Sequence, residues 1–174
     1  MIKTFPTSGK VLLFYIIMKY ARLTKEQFEE LHQEFINFLA TQTITADEWK
    51  NLKTEKPEVA EEELDIFSDL VWEGVLNKVN YLEHVSPKQL MLFHITDAFL
   101  ELIAVKVEDD NIDITTDYGY KWLQQNMHDD SVNLYTSTKA IKDDRNKDVF
   151  ALIQQGSAIT KGELYNYFSD LLSE

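Results

Sequence analysis

Residue types able to do chemistry are present in this chain, but few of them stand at spacings that chemistry requires. Glu29-x-x-His32 puts a carboxylate and an imidazole on one helix face, the spacing used by carboxylate-bridged di-iron bundles. Such a centre needs the motif twice plus two further carboxylates, and here it occurs once. Phe28, Phe35 and Leu39 flank His32, so it reads as a histidine at the margin of an apolar stripe. Asp109-x-Asn111-x-Asp113 opens like a calcium loop, yet the sixth position is Ile114 rather than Gly and the twelfth is Tyr120 rather than Glu. A polar turn between strands is the expected reading. His84, His94 and His128 are scattered. His94 and Asp97 could approach each other at a strand end, but no motif ties a Ser or Lys nucleophile to them, which favours a structural or pH-sensitive surface role.

The densest polar cluster is Lys139, Lys142, Asp143, Asp144, Arg145 and Asn146. Either Asp can cap a helix while the charges pair locally. The same cluster can present a recognition surface, so these six residues are the candidate partner-binding set. Arg145 is expected at the surface, where Arg145→Ala would leave the fold nearly unchanged.

Composition narrows the classes further. Asp plus Glu outnumber Lys plus Arg by 30 to 17, a net charge of −13, which repels phosphate backbones and disfavours nucleic acid as a partner. The absence of Cys excludes disulfides, thiolate zinc sites and Cys nucleophiles, and is compatible with a reducing cytoplasm. Only five Gly occur, and neither dinucleotide nor P-loop phosphate motifs, G-x-S-x-G nor H-E-x-x-H is present. No cofactor and no metal is therefore expected, and no catalytic residue is assigned.

The elements that must position these residues begin with a phrase used three times: Leu23–Phe28, Ile44–Trp49 and Ile159–Leu164 each read hydrophobe, Thr, two spacers, Glu or Gln, hydrophobe. Each matches a capping box with a hydrophobic staple. The spacing predicts a helix over about 25–41, a short one from Thr45 to about Thr54, and a third from Pro57 to about Lys78. Asn80–Val85, Gln89–Thr96 and Phe99–Glu108 read as an antiparallel meander, the third strand apolar on both faces and so buried at the centre. A short strand over Ile112–Thr115 follows, then a helix capped by Thr116 or Asp117 running to about Met127 with Tyr118, Trp122 and Leu123 inward. Val132–Thr136 reads as a further strand. Asp143 or Asp144 caps a helix that Gly156 closes, and the third Thr box opens a last helix over 161–172. Trp72 and Tyr135 are the aromatics expected at the surface. The fold class is α+β: N-terminal helices, a meander of three to four strands, a crossover helix and further strand, and two C-terminal helices.

Val11–Met18 (VLLFYIIM) is the most apolar run, too short to span a bilayer and lacking a small-x-small cleavage site. Residues 1–17 read as a mis-called start ahead of a native Met18, as a genuine edge strand, or as an export or anchoring leader; 18–174 reads as a single domain. The expected setting is cytoplasmic, without membrane attachment.

The stretches YARLTKEQFEELHQEF, YLEHVSPKQLMLF and DDRNKDVFALIQQGSAIT resemble a family of uncharacterised bacterial proteins carrying a domain of unknown function. The resemblance covers about Met18 to the C-terminus and implies no activity or site residues.

Two functional classes follow. The helix–three strands–helix–strand order over about 57–136 is similar to that of restriction-endonuclease-like nucleases, in order alone, which opens the reading of a metal-dependent nuclease or a catalytically dead relative of that fold. Those sites need an acid at a strand end and acid-x-Lys on the next strand. Asp97 and Lys106 could serve, but Ala104 stands where the second acid belongs. Glu101, five residues from Lys106, falls on the other strand face. The alternative is an acidic adaptor or regulatory module working through contact with a basic or mixed-charge protein partner, of unassigned oligomeric state. This class fits the remaining features better.

Overall fold

The computed structural model describes residues 18–173, so the readings made for 1–17 lie outside the described residues. Seven helices and a five-stranded antiparallel sheet are present among them, an α+β fold with the expected N-terminal helices, strand meander and C-terminal helices, to which a short strand between the last two helices is added. The described chain falls into two compact units, one ending at Leu70 and the other beginning at Val71.

The first unit is helical. Helices α1 (Lys25–Glu30), α2 (His32–Thr41) and α3 (Ala46–Glu55) precede α4 (Pro57–Leu76), in which the unit boundary falls. Two of the three Thr phrases form full capping boxes. Gln27 N donates to Thr24 Oγ1 at 3.3 Å while Thr24 N donates to Gln27 Oε1 at 2.8 Å. Thr45 and Glu48 repeat the exchange at 3.3 and 2.8 Å. The helix expected over 25–41 is interrupted at Leu31 (φ −97°, ψ 22°), although Phe35 N still donates to Leu31 O at 2.9 Å. Phe28, Phe35, Phe38, Trp49 and Phe67 make the core, with Phe35 edge-on to Phe67 at 5.0 Å and to Trp49 at 5.3 Å. Arg22 bridges Asp65 and Glu61 on α4, and Leu23 N donates to Ser68 Oγ at 3.2 Å. The segment entering α1 is thereby tied down.

In the second unit the strands are β1 (Tyr81–Ser86), β2 (Gln89–Ile95), β3 (Phe99–Val107), β4 (Val132–Ala140) and β5 (Ala158–Thr160). They lie in the order β4-β3-β2-β1-β5. Between them come α5 (Asp117–Gln125) and α6 (Arg145–Gln154), and α7 (Glu163–Leu171) follows β5. Period-two alternation puts Leu90, Leu92, Ile103, Val105 and Val107 on one sheet face, buried with Leu123 of α5 and Phe168 of α7. Leu82, Phe93 and Ile95 are buried on the opposite face. A fully buried Leu or Val side chain contributes roughly 1.5–3 kcal/mol, so both faces hold the unit together.

Several expectations are corrected. Ile112 and Ile114 are not in a strand; both are buried core plugs. Side-chain turns at Asp109 and Asp113 curl the chain there, and Ile114 N donates to Pro87 O. Tyr118 does not point inward but is 70% exposed. The inward face of α5 is set instead by Gly119, where a Cβ would lie 1.9 Å from Asp113 O. Thr160 caps nothing in the third phrase: α7 starts from Gly162 in the left-handed region (φ 80°), and Thr160 Oγ1 donates to Glu83 Oε1 at 3.1 Å. Strand β3 is interior but not the central strand, and its Leu100–Leu102–Ala104 face is only half-buried. Trp72 packs edge-on to Phe150 at 5.0 Å and is half-buried, whereas Tyr135 is 54% exposed.

Candidate functional site

The six residues of the polar segment divide into two groups. Lys139 is exposed and bridges Asp148 at 3.1 Å, while Lys142 and Asp143 are exposed. With Asp144, Lys147 and Asp148 they line a shallow polar cavity of about 450 Å³. Asp144 caps α6, accepting from Asn146 N at 3.1 Å and Lys147 N at 3.3 Å. Arg145 and Asn146 turn inward. The Arg145 guanidinium donates to Leu76 O at 2.9 Å, to Val79 O and to Thr96 O at 3.2 Å. Buried Asn146 donates to Glu73 Oε1 at 2.9 Å and Asn77 Oδ1 at 2.7 Å. The expectation of a solvated Arg145 is therefore corrected. A planar fork with several donors gathers carbonyls left over at a helix end and a turn, which a solvated cation could not do. The sequence signal was an Arg directly after a helix-capping Asp, which local charge pairing does not reveal.

A second cluster arises from sheet register. His94 of β2 stands opposite Glu101 of β3 and Tyr81 of β1. Its Nδ1 lies 2.8 Å from Glu101 Oε2, to which the Tyr165 hydroxyl also donates at 3.1 Å. An ionised carboxylate only accepts, so His94 Nδ1 carries the proton. These bonds, His94 first, hold the Glu101 carboxyl below the usual carboxylate range against the upward push of burial. Burial and the Glu101 charge push the Tyr165 phenol up to about 12. The Tyr81 ring stacks on His94 at 4.8 Å, and Tyr165 lies 5.3 Å from it. Gly162 backs onto Tyr81 so closely that a Cβ would lie 2.4 Å from the ring. The imidazole is thus oriented and packed, and the hydroxyl in reach is bound to the same carboxylate. Glu101 is a charge on a strand face otherwise occupied by Ile103, Val105 and Val107, which in the sequence already called for an inward partner.

The outer edge of β4 is the third feature. Among the described residues β4 pairs only with β3. Ile141 N donates to Ala98 O and Glu108 N to Ser131 O, both at 2.8 Å. Antiparallel pairing alternates between bonded and non-bonded pairs. The odd-numbered residues of β4 therefore carry the ladder, and Leu134, Thr136, Thr138 and Ala140 turn their N–H and C=O groups outward. Every residue from Tyr135 to Ala140 is exposed. Thr138 pairs with Glu101 and Thr136 with Ile103, so both hydroxyls share the Glu101 face. With Tyr165, Ser169 and Ser173 they line a cavity of about 190 Å³.

Other candidates are not brought together. Asp97 sits in the turn before β3 and Lys106 near its far end; seven steps from Phe99 to Lys106 span about 23 Å. Lys106 Nζ bonds Glu108 Oε1 at 3.0 Å, and Glu101 is held by His94. Glu29 and His32 are exposed, with His32 Nδ1 3.2 Å from Glu29 O. Among the described residues no group of three His, Cys, Asp or Glu is placed to hold a metal ion, and no helix is long and apolar enough to cross a membrane. An apolar groove of about 320 Å³ lies between α5 and α7, lined by Leu90, Met127, Leu164 and Tyr167 among others.

The chain belongs to a family of unknown function (DUF6495), whose model matches residues 18–173. No curated protein and no solved structure matches it.

Proposed function

We propose that this chain works through protein–protein contact, as an adaptor or regulatory module of the cytoplasm, by taking an extended segment of a partner protein onto the outer edge of β4. The observation that carries this reading is the construction of that edge. An open strand edge is a template for another chain, and folded proteins blunt it with shortness, edge charges such as Lys, Pro, bulges or inward charges. Strand β4 runs nine residues, lacks Gly and Pro, and has one charge, Lys139, next to its end. A net charge of −13 favours a basic or mixed-charge partner and disfavours nucleic acid. The exposed Lys139, Lys142 and Asp143 supply polar contacts at the end of the strand, on a base held by Asp144, Arg145 and Asn146.

The test is affinity purification from native cells with the parent chain and with Thr136→Pro as baits. Proline at position 136 removes an outward N–H and leaves the β3 ladder intact. A stoichiometric partner that elutes with the parent and is lost from the variant supports strand addition. Retention of that partner by a folded Thr136→Pro bait rejects it.

A further inference from the structure

We infer that the β4 edge chooses its partner by charge: the cavity beside Thr136 and Thr138 receives a lysine or arginine side chain of the docked strand, with Glu101 as its acceptor. This rests on strand addition at β4 and adds the class of segment it takes. A strand laid antiparallel on β4 puts the residue paired with Thr138 on the same face as that hydroxyl. Thr138 is itself paired with Glu101. The incoming residue and Glu101 are thus two strand spacings apart, about 10 Å, a span that a long cationic side chain and a glutamate close from both sides. The cavity between them is small, about 190 Å³, and its lining offers hydroxyls of Thr136, Thr138 and Ser169 beside the carboxylate.

The carboxylate is available for this. Both of its hydrogen bonds, from His94 and Tyr165, fall on Oε2, which leaves Oε1 for an incoming donor. The nearby lysines do not compete: Lys106 and Lys139 lie on the opposite sheet face, engaged with Glu108 and Asp148. The depressed ionisation of Glu101 keeps it charged throughout the neutral range. A lysine brings three donors and an arginine five, enough to use the hydroxyls and the carboxylate together. An apolar side chain there would leave the hydroxyl lining unused, a neutral polar one would form no ion pair with Glu101, and an acidic one would face Glu101 directly.

Display selection on the tagged full chain tests this, using a randomised library of peptides as long as β4. The expected result is enrichment of Lys or Arg at one peptide position by about tenfold or more, the discrimination of a charge-assisted hydrogen bond. Glu101→Gln is expected to abolish that preference while still yielding binders. Ser169→Arg, which fills the cavity with a cation of its own, should do the same and serves if Glu101→Gln fails to fold. Thr136→Pro is expected to yield no binders. Binders without a basic preference, or a preference unchanged in both Glu101→Gln and Ser169→Arg, would overturn the charge selection and leave strand addition standing. A binder pool that Thr136→Pro retains in full, or no binders to the parent, would overturn both.

Discussion

At one margin of the sheet β5 runs three residues; at the other β4 runs nine. The chain enters β5 just after Gly156 (φ 97°) and leaves it just before Gly162 (φ 80°), so left-handed turns on either side cut the strand short. Gly162 is packed against Tyr81, and Thr160 is bonded to Glu83. Strand β4 has none of these limits, and its last six residues are exposed. Two edges of one sheet, with the same backbone chemistry, are thus treated in opposite ways. Shortness protects β5, while β4 turns alternate backbone groups outward with no strand partner among the described residues. A nine-residue edge blunted only by Lys139 is the feature that the proposed strand addition requires.

The largest effect is expected from a pair of proline substitutions in β4. Ser137→Pro removes a donor to β3 and should cost about 2–4 kcal/mol, read as a lower urea midpoint. Thr136→Pro, one residue away, should fall within about 1 kcal/mol of the parent. Equal losses would mean that the outward and inward positions of β4 are wrongly assigned. Next in size is Arg145→Ala, which strands carbonyls of Leu76, Val79 and Thr96 and should destabilise by about 2–3 kcal/mol in chemical denaturation. Arg145→Lys should recover only part of this, because an ammonium cannot fork to three carbonyls. A neutral Arg145→Ala would restore the solvated reading. At the short edge, Gly162→Ala should cost about 1–3 kcal/mol by thermal melting, from positive φ and the Tyr81 clash together.

The smallest effect is a pH dependence. A carboxyl held below its ordinary value of 4.5 adds stability that is present above that pH and lost as pH falls through the folded-state value. Glu101 is 39% exposed, so solvent screening limits the contribution to under about 1 kcal/mol. Glu101→Gln should therefore narrow the stability difference between neutral and acid pH by that amount, measured as urea midpoints at both. A parent and variant with parallel pH curves would remove the His94–Glu101 pair from the account.

Much of the fold was legible because it rests on local signals. The Thr24 and Thr45 boxes, Pro57, Asp144 and Gly156 each act within one helical turn, and the meander follows from period-two patterning. The third Thr phrase has the same letters as the first two, yet Thr160 pairs with Glu83 of β1, far away in sequence. A propensity cannot reveal that choice. Tyr118 fails similarly, since the orientation of α5 is set by a glycine meeting the Asp113 carbonyl. The candidate site was less legible still. Tyr81, His94, Glu101 and Tyr165 meet through strand register and the placement of α7. The open edge of β4 depends on which strand lies outermost, which no short window contains.

Amide hydrogen exchange along β4, residue by residue, distinguishes an open strand edge from a covered one. In the isolated chain the N–H groups of Tyr135, Ser137 and Lys139 should be protected and those of Leu134, Thr136 and Thr138 should exchange rapidly. On adding a partner lost by the Thr136→Pro bait, or a peptide recovered by selection, the even-numbered amides should become protected as well. Protection of the even-numbered amides in the isolated chain, or a bound state in which they still exchange freely, would contradict strand addition at β4.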